Sequence, residues 1–366
     1  MIRVLQVFGG LDRGGSETMV MNLYRNIDRN RIQFDFVTHQ TVKGDYEDEI
    51  EELGGRIFRV PRYKVINHVS YIKAWKKLLR DHPEWKIVHG HMYTLASIYL
   101  KVAINEGRST IAHSHSISNG KGLKACIQDI IEKPLPYIAD RFMACSNDAG
   151  LWLFGEDVIK SDRYLMLPNA IDVDRFKYNE MTRLTMRNSL NIEDKIVLGH
   201  VGRYNYQKNF PFLLELIDKL RDIDQRYILL QIGDGKENKE LKDLIKEKKL
   251  ENSVKLLGVR DDIPNLMQAM DIFIFPSISE GLGIVAIEAQ ASGLQCLLSN
   301  KLPTESDITD LVNYLPIDNG VENRIDVIVN SKLGNRPDKS CQIKEANYDI
   351  KQTANIITKY YLDLIS

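Results

Sequence analysis

Two carboxylates, Glu280 and Glu288, stand eight residues apart where a strand is expected to hand over to a helix. In the segment DIFIFPSISEGLGIVAIEAQASGLQC, residues 271–296, the apolar run Ile272 to Phe275 reads as a strand buried on both faces, and Pro276 ends its ladder. A turn follows, with Glu280 between Ser279 and Gly281, and Ile284 to Ser292 reads as a helix carrying Glu288. Free amides and the helix dipole at such a junction favour an anion. A carboxylate does not bind phosphate, so the two Glu need another task. Paired acceptors suit polyols such as a ribose and a sugar ring. A sugar nucleotide has both, with a diphosphate between them. An ordinary βα unit with a Glu compensating the helix dipole shows the same pattern.

Three further groups of residues carry chemistry. Arg203 and Lys208 lie in GRYNYQKN, between the strand-like IVLGHV and a helix expected over residues 210–223. Two cations before a helix can neutralise a diphosphate leaving group, although a surface loop with two solvated charges reads the same in isolation. The loop GGLDRGG, residues 9–15, follows the strand Ile2 to Phe8 and precedes a helix for which Ser16 is the expected cap and Glu17 the first-turn acid. Its glycines allow close backbone approach, but the spacing is not GxGxxG, so a dinucleotide fingerprint is unsupported and a plain tight turn stays open. Two HxH pairs, His89/His91 and His113/His115, end two further strands. Alternation puts each pair on one face, but no Cys or acidic partner follows at zinc-ligand spacing. The carboxyl ends of parallel strands are where open α/β sheets place ligands, which suits these His better.

Taken together, EGLG…E and GR…QKN resemble the signature of the family 4 retaining glycosyltransferases of the GT-B fold, and the resemblance covers nearly the whole chain. It implies an α/β chain of two Rossmann-like parallel-sheet domains facing each other across a cleft, which closure would complete. It implies a metal-independent, retaining, hexosyltransferase-type reaction with no cofactor, on a nucleotide sugar that is UDP-linked by expectation. Arg203 and Lys208 would hold the diphosphate, assisted by amides of Gly281, Leu282 and Gly283. Glu280 would bind the sugar hydroxyls and Glu288 the ribose. Gly258, Val259 and Arg260 match the loop that contacts the nucleobase, and Gly14, Gly15 and Glu17 match the GGxE loop facing donor phosphates and acceptor. His115 best matches the family His over the donor sugar, with His113 as the fallback. No nucleophile is expected, because the leaving phosphate can take the acceptor proton; no DxD ends a strand, and no metal is expected. Two departures stand out: Ala170 replaces Gly in the family's PNGID, and Gln295 stands where Pro is usual.

The elements that must position these residues form two βα series. At 366 residues the chain fits two domains. The expected division is 1–180, joined by a last helix at about 347–366, and 190–345, with the polar segment 174–191 as the passage. Tyr227 to Gly235 is expected as strand and turn. A hydrophobic share of 43%, a charged share of 27% and a net charge of −1 suit a globular protein and exclude a strong nucleic-acid footprint. Cys126, Cys145, Cys296 and Cys341 are scattered, as in a reducing compartment. There is no signal-peptide pattern and no apolar run near 18 residues, so the expected location is cytoplasmic. From Arg56 to Arg80 there are eight Lys/Arg and no acid, with a helix stripe of Ile72, Trp75 and Leu79. This is a solvated face or a patch for peripheral contact with the inner membrane face. AHSHS, ACS and EAQASGLQC resemble bacterial capsule, exopolysaccharide and lipopolysaccharide enzymes, which implies a glycan or lipid-linked saccharide acceptor. A sugar-nucleotide epimerase of the same fold and a non-catalytic partner subunit remain alternatives, and a nicotinamide dehydrogenase is the weakest.

Overall fold

A computed structural model describes residues 1–116, 123–233, 238–334 and 336–365; of residues 123–126 and 238 it describes the backbone. Asp234 and Gly235 of the expected turn, and the side chain of Cys126, lie outside the described residues. The chain forms two compact units, Met1–Ala170 with Asn347–Ser366, and Ile171–Ala346.

The first unit is built on β1 (Ile2–Phe8), β2 (Ile32–Thr38), β3 (Ile57–Arg59), β4 (Trp85–Gly90), β5 (Ser109–Ser114), β6 (Arg141–Ala144) and β7 (Tyr164–Met166). These pair in the order β3-β2-β1-β4-β5-β6-β7, every pair parallel. The second unit uses β8 (Ile196–Val201), β9 (Tyr227–Ile232), β10 (Val254–Leu256), β11 (Ile272–Phe275), β12 (Gln295–Ser299) and β13 (Val312–Leu315), in the order β10-β9-β8-β11-β12-β13, again parallel. Both sheets are doubly wound, with the strand order reversing between β1 and β4 and between β8 and β11. That reversal is where open α/β sheets leave a crevice at the strands' carboxyl ends. The central strands are apolar on both faces, as helices covering both sides require: all four residues of β11 are 0% exposed.

The helix Ile350–Asp363 belongs to the first unit by packing. Ile350, Ala354, Ile357 and Tyr361 are buried in the same cluster as Val20, Leu23 and Phe34, and Asp349 caps its first turn. The segment expected as an interdomain passage is instead part of the second unit. It folds as Val173–Phe176 and Glu180–Leu190, and the second helix is anchored by Arg183 and Arg187 on Asp271, at 2.5 and 3.2 Å. Asp271 also accepts from the amide of Val197, so one carboxylate ties the helix to β8 and β11. Ser16 is not the cap of the first helix. The helix is Gly15–Asn26, Gly14 is its N-cap, and the Ser16 hydroxyl donates to Glu17 at 2.8 Å. In the basic stretch, the buried stripe of the helix His68–Asp81 is Tyr71, Trp75 and Leu79, with Ile72 packed at its margin.

Candidate active site

In the second unit the two loops at the sheet reversal are stitched together. β8 ends at Val201 and runs through Gly202 and Arg203 to a single 3-10 turn, Tyr206–Lys208. The Asn205 side chain caps that turn by accepting from the amide of Lys208. Asn209 takes a left-handed conformation, φ 53°, and starts the helix Phe210–Ile223, with Pro211 in its first turn. From the other side, the loop after β11 docks on this turn: the amide of Ile278 donates to the carbonyl of Gln207 at 2.8 Å, and the Asn209 side chain donates to the carbonyl of Pro276.

This docking brings together two side chains 72 residues apart in sequence. Lys208 Nζ donates to Glu280 Oε1 at 2.6 Å, and both side chains are largely shielded from water. The same ammonium lies 4.6 Å from the centre of the Phe275 ring, at the end of β11. Lys208 is therefore held by a carboxylate and an aromatic face, with its positive charge at the sheet reversal. Gly283, left-handed at φ 73°, is the N-cap of the helix Ile284–Ala291, and an added Cβ would stand 3.1 Å from Phe275 and 3.2 Å from Leu302. Gly281 has open space where a side chain would project, so backbone there can be approached closely. Leu282 is buried beneath them.

Glu288 sits on the helix that Gly283 opens. It is partly buried and among the described residues makes no side-chain hydrogen bond or ion pair. Exclusion of water raises its carboxyl to about 8. At neutral pH it is mostly a neutral acid, able to donate as well as accept. Arg203 is exposed at the rim of the loop. The loop after β10 lies nearer the sheet edge. Gly258 is left-handed and its carbonyl accepts from the amide of Gly233; Val259 is exposed, and Arg260 forms an ion pair with Asp262 at 2.6 Å.

Below the Gly202 loop lies a pair that the sequence did not single out. Gln231 donates to the carbonyls of Gly202 and Ile232, so its remaining oxygen must accept from His200 Nδ1, 2.6 Å away. His200 is fully buried, and desolvation followed by the Lys208 charge lowers it to about 3. The available signal was polar residues inside otherwise apolar strands, HV and LLQI.

In the first unit, Gly14, Gly15 and Glu17 meet at the start of the helix that follows β1. A Cβ on Gly14 would stand 2.3 Å from Glu17 Oε2, so this glycine gives the carboxylate room to fold back, whereas Gly15 borders open space. The four His at the carboxyl ends of β4 and β5, His89, His91, His113 and His115, form one group. His89 stacks on His91, and His113 on His115, at centroid distances of 4.2 and 4.0 Å. Nitrogens of His89, His91 and His113 lie within 4.8 Å of one another, close enough for a metal ion. Both ring nitrogens of His89 and of His91 already take part in hydrogen bonds, which a cation would have to break. Burial holds His89 and His115 at about 3, and His91 and His113 well below their usual value.

The basic stretch contracts. Arg56 pairs with Asp35 and Glu84, Arg59 with Glu47, Lys77 with Asp81 and Arg80 with Glu106. Arg62, Lys64, Lys73 and Lys76 are in no such ion pair among the described residues, and next to them Val65, Ile66 and Val69 are 72%, 94% and 65% exposed. Among the described residues, no helix is long and apolar enough to cross a membrane.

Comparison with known proteins agrees with this architecture. Residues 13–175 match the model described as Glycosyltransferase Family 4, and residues 182–342 the one described as Glycosyl transferases group 1. The chain is 33% identical over 369 residues to the Bacillus subtilis (strain 168) protein bearing the name glycosyltransferase EpsF, covering 98% of this chain and 96% of that one. It is 25% identical over 359 residues to the UDP-Gal:alpha-D-GlcNAc-diphosphoundecaprenol alpha-1,3-galactosyltransferase of Escherichia coli, covering 91% of this chain and 90% of that one. The crystal structure of Anabaena HepE in complex with UDP superposes with a TM-score of 0.80 at 18% identity, over 99% of this chain and all of that one.

Proposed function

The chain belongs to glycosyltransferase family 4 and has its GT-B fold, and we propose that it transfers a hexose from a UDP-linked donor, with retention, to a hydroxyl of a lipid-linked bacterial surface saccharide. The observation that carries this reading is the Lys208–Glu280 pair at the β8/β11 reversal. An ammonium shielded from water and held in place before a donor arrives suits a departing diphosphate. Glu280 fixes the ammonium with one oxygen and keeps the other for sugar hydroxyls. Arg203 and the amides of Gly281, Leu282 and Gly283 add donors to the same anion, and the group needs no metal to balance the leaving charge. Gly258, Val259 and Arg260 receive the base, and Glu288 the ribose. His115 is assigned to the sugar, and Gly14, Gly15 and Glu17 to the acceptor side.

In the reaction, the bond between the anomeric carbon and the β-phosphate oxygen breaks. The acceptor oxygen bonds to that carbon on the same face, and its proton passes to the departing phosphate, leaving UDP. The E. coli relative's lipid-diphosphate substrate supports a lipid-linked acceptor. Arg62, Lys64, Lys73 and Lys76, beside exposed Val65, Ile66 and Val69, would hold the enzyme peripherally on the inner membrane face, with apolar side chains among headgroups and cations at anionic lipids.

Nucleotide release from a panel of UDP-, GDP- and ADP-sugars tests the reading. One UDP-sugar is expected to be hydrolysed slowly by the wild type and by neither Lys208→Ala nor Glu280→Ala. If both variants hydrolyse it at the wild-type rate, the assignment of this pair is wrong.

A further inference from the structure

His89, His91, His113 and His115 are not a loose cluster. They end two hydrogen-bonded ladders that start on one residue, Gln6, which is 1% exposed in the middle of β1. Gln6 Oε1 is 2.8 Å from His91 Nε2, and His91 Nδ1 is 2.9 Å from His115 Nε2. On its other side Gln6 Nε2 donates to the Tyr361 hydroxyl at 3.3 Å, which is 2.7 Å from His89 Nδ1, and His89 Nε2 is 3.2 Å from His113 Nδ1. Among the described residues, His113 Nε2 and His115 Nδ1 are buried and have no partner.

Proton accounting then couples every ring to the sense of the Gln6 amide. All four imidazoles are neutral because burial disfavours the cation, so each has one N–H and one bare nitrogen. The Gln6 oxygen can only accept, so His91 carries its hydrogen on Nε2 and accepts at Nδ1 from His115 Nε2–H. His115 Nδ1 is left bare. The Gln6 amide nitrogen donates to Tyr361, whose hydroxyl donates to His89 Nδ1, so His89 Nε2–H donates to His113 Nδ1. His113 is left with an Nε2–H. Were the amide turned over, every bond would reverse: His115 would end with a donor and His113 with an acceptor. In either sense the two ends are complementary.

We propose that Gln6 and Tyr361 are positioning residues that make His113 and His115 present one donor and one acceptor side by side, for a hydroxyl group of the transferred sugar. The rings carrying the two ends are stacked 4.0 Å apart. A hydroxyl can accept from one and donate to the other. A phosphate or carboxylate cannot donate, and an ammonium cannot accept, so the pair selects neutral polyol chemistry. Leaving both buried ends unmatched costs binding free energy, which is how such a site rejects ligands lacking the hydroxyl. The choice of ligand rests on the proposed transferase reading; the ladder itself does not.

Protein labelled with 15N only in histidine rings tests both parts, with His113→Asn and His115→Asn spectra for assignment. The wild type is expected to show the same tautomer at all four positions, Nε2–H in one sense of the Gln6 amide and Nδ1–H in the other. In Gln6→Glu, at a pH high enough to ionise the buried carboxyl, the carboxylate accepts from both ladders, so His91 and His115 are Nε2–H while His89 and His113 are Nδ1–H. In Tyr361→Phe only His89 and His113 lose their fixed state. Unlike tautomers at His91 and His115 in the wild type, or an unchanged His113 in both variants, overturn the ladder. In Gln6→Glu, KM for the UDP-sugar is expected to rise about tenfold while Kd for UDP alone holds, the scale of one lost hydrogen bond. A tautomer switch with unchanged KM overturns the hydroxyl assignment. If no nucleotide sugar is turned over by the wild type, the transferase reading fails while the tautomer result stands.

Discussion

Glu288 offers the sharpest test of the second unit's chemistry. Its carboxyl is held near 8 by loss of water, against an ordinary value of 4.5. The folded state therefore binds a proton that the unfolded chain releases above pH 4.5. Stability from this group is fully present below pH 4.5, falls as pH rises, and levels off above pH 8, where both states are ionised. Between pH 5 and pH 8 the loss amounts to about two to two and a half pH units of linkage, or roughly 2.5–3.5 kcal/mol. Glu288→Gln keeps the shape and a hydrogen-bonding side chain but removes the titration. It is expected to be near neutral at pH 5 and to stabilise the second unit by about 2–3 kcal/mol at pH 8. Paired urea unfolding curves of wild type and variant at pH 5, 6, 7 and 8, followed by a probe in residues 171–346, give the difference directly. Saturating UDP adds a second reading. If ribose hydroxyls donate to the carboxylate, the bound form favours ionisation, UDP binding releases a proton, and the wild-type slope flattens. A wild-type-minus-variant difference that is the same at every pH would refute the argument, because the carboxyl would then be ionised in the folded chain.

Gly233 is left-handed at φ 109°, and a Cβ there would stand 2.3 Å from the carbonyl oxygen of Gly202. Gly233→Ala is expected to cost about 2–3 kcal/mol in unfolding experiments and to weaken UDP binding, since the Gly202–Lys208 loop must shift. Asp271→Ala removes the partner of Arg183 and of buried Arg187. A loss of about 3 kcal/mol or more is expected, against less than 1 kcal/mol for Asp318→Ala, whose pair with Lys301 is exposed. Replacing Ile66 by Asp, or Lys64 and Lys73 by Ala, is expected to reduce sedimentation with anionic vesicles severalfold while UDP binding is unchanged; equal sedimentation would remove the membrane surface from the reading.

What could be read from the sequence depended on how local each signal was. The strand Ile272–Phe275 and the helix Phe210–Ile223 were legible to the residue, the first as an apolar run closed by Pro276, the second because Pro211 marks a first turn and apolar periodicity continues to Ile223. β13, Val312–Leu315, was missed: it is an edge strand of four partly buried residues in which Asn313 interrupts the apolar run. Ser16 misled because Ser before Glu is a good capping pattern, yet its hydroxyl serves Glu17 and the preceding glycine takes the cap position. The basic stretch was overcounted for a different reason. Partners such as Asp35 for Arg56 and Glu106 for Arg80 come from other elements, so local charge density says little about which cations stay available. Lys208 and Glu280 were each legible as residue types at loop ends; their direct pairing follows only from the adjacency of β8 and β11.

The buried polar pairs were the least legible, and both sheets use the same device. In each, a buried Gln on a central strand fixes a buried His near the carboxyl end of the neighbouring strand: Gln6 with His91, and Gln231 with His200. A carboxylate in either place would bury a charge at a cost of several kcal/mol, and an apolar residue would leave ring nitrogens unmatched. An amide supplies one donor and one acceptor without charge. The two differ in what holds them. Gln231 is locked by the carbonyls of Gly202 and Ile232, so His200 has one tautomer and the loop above it one shape. Gln6 faces Tyr361 and His91, partners that can each reverse their role, so its ladder has two self-consistent states. A locked amide suits a loop that, in the proposed reading, holds a diphosphate of constant shape. A reversible one suits a hydroxyl, which can serve as donor or acceptor at either end.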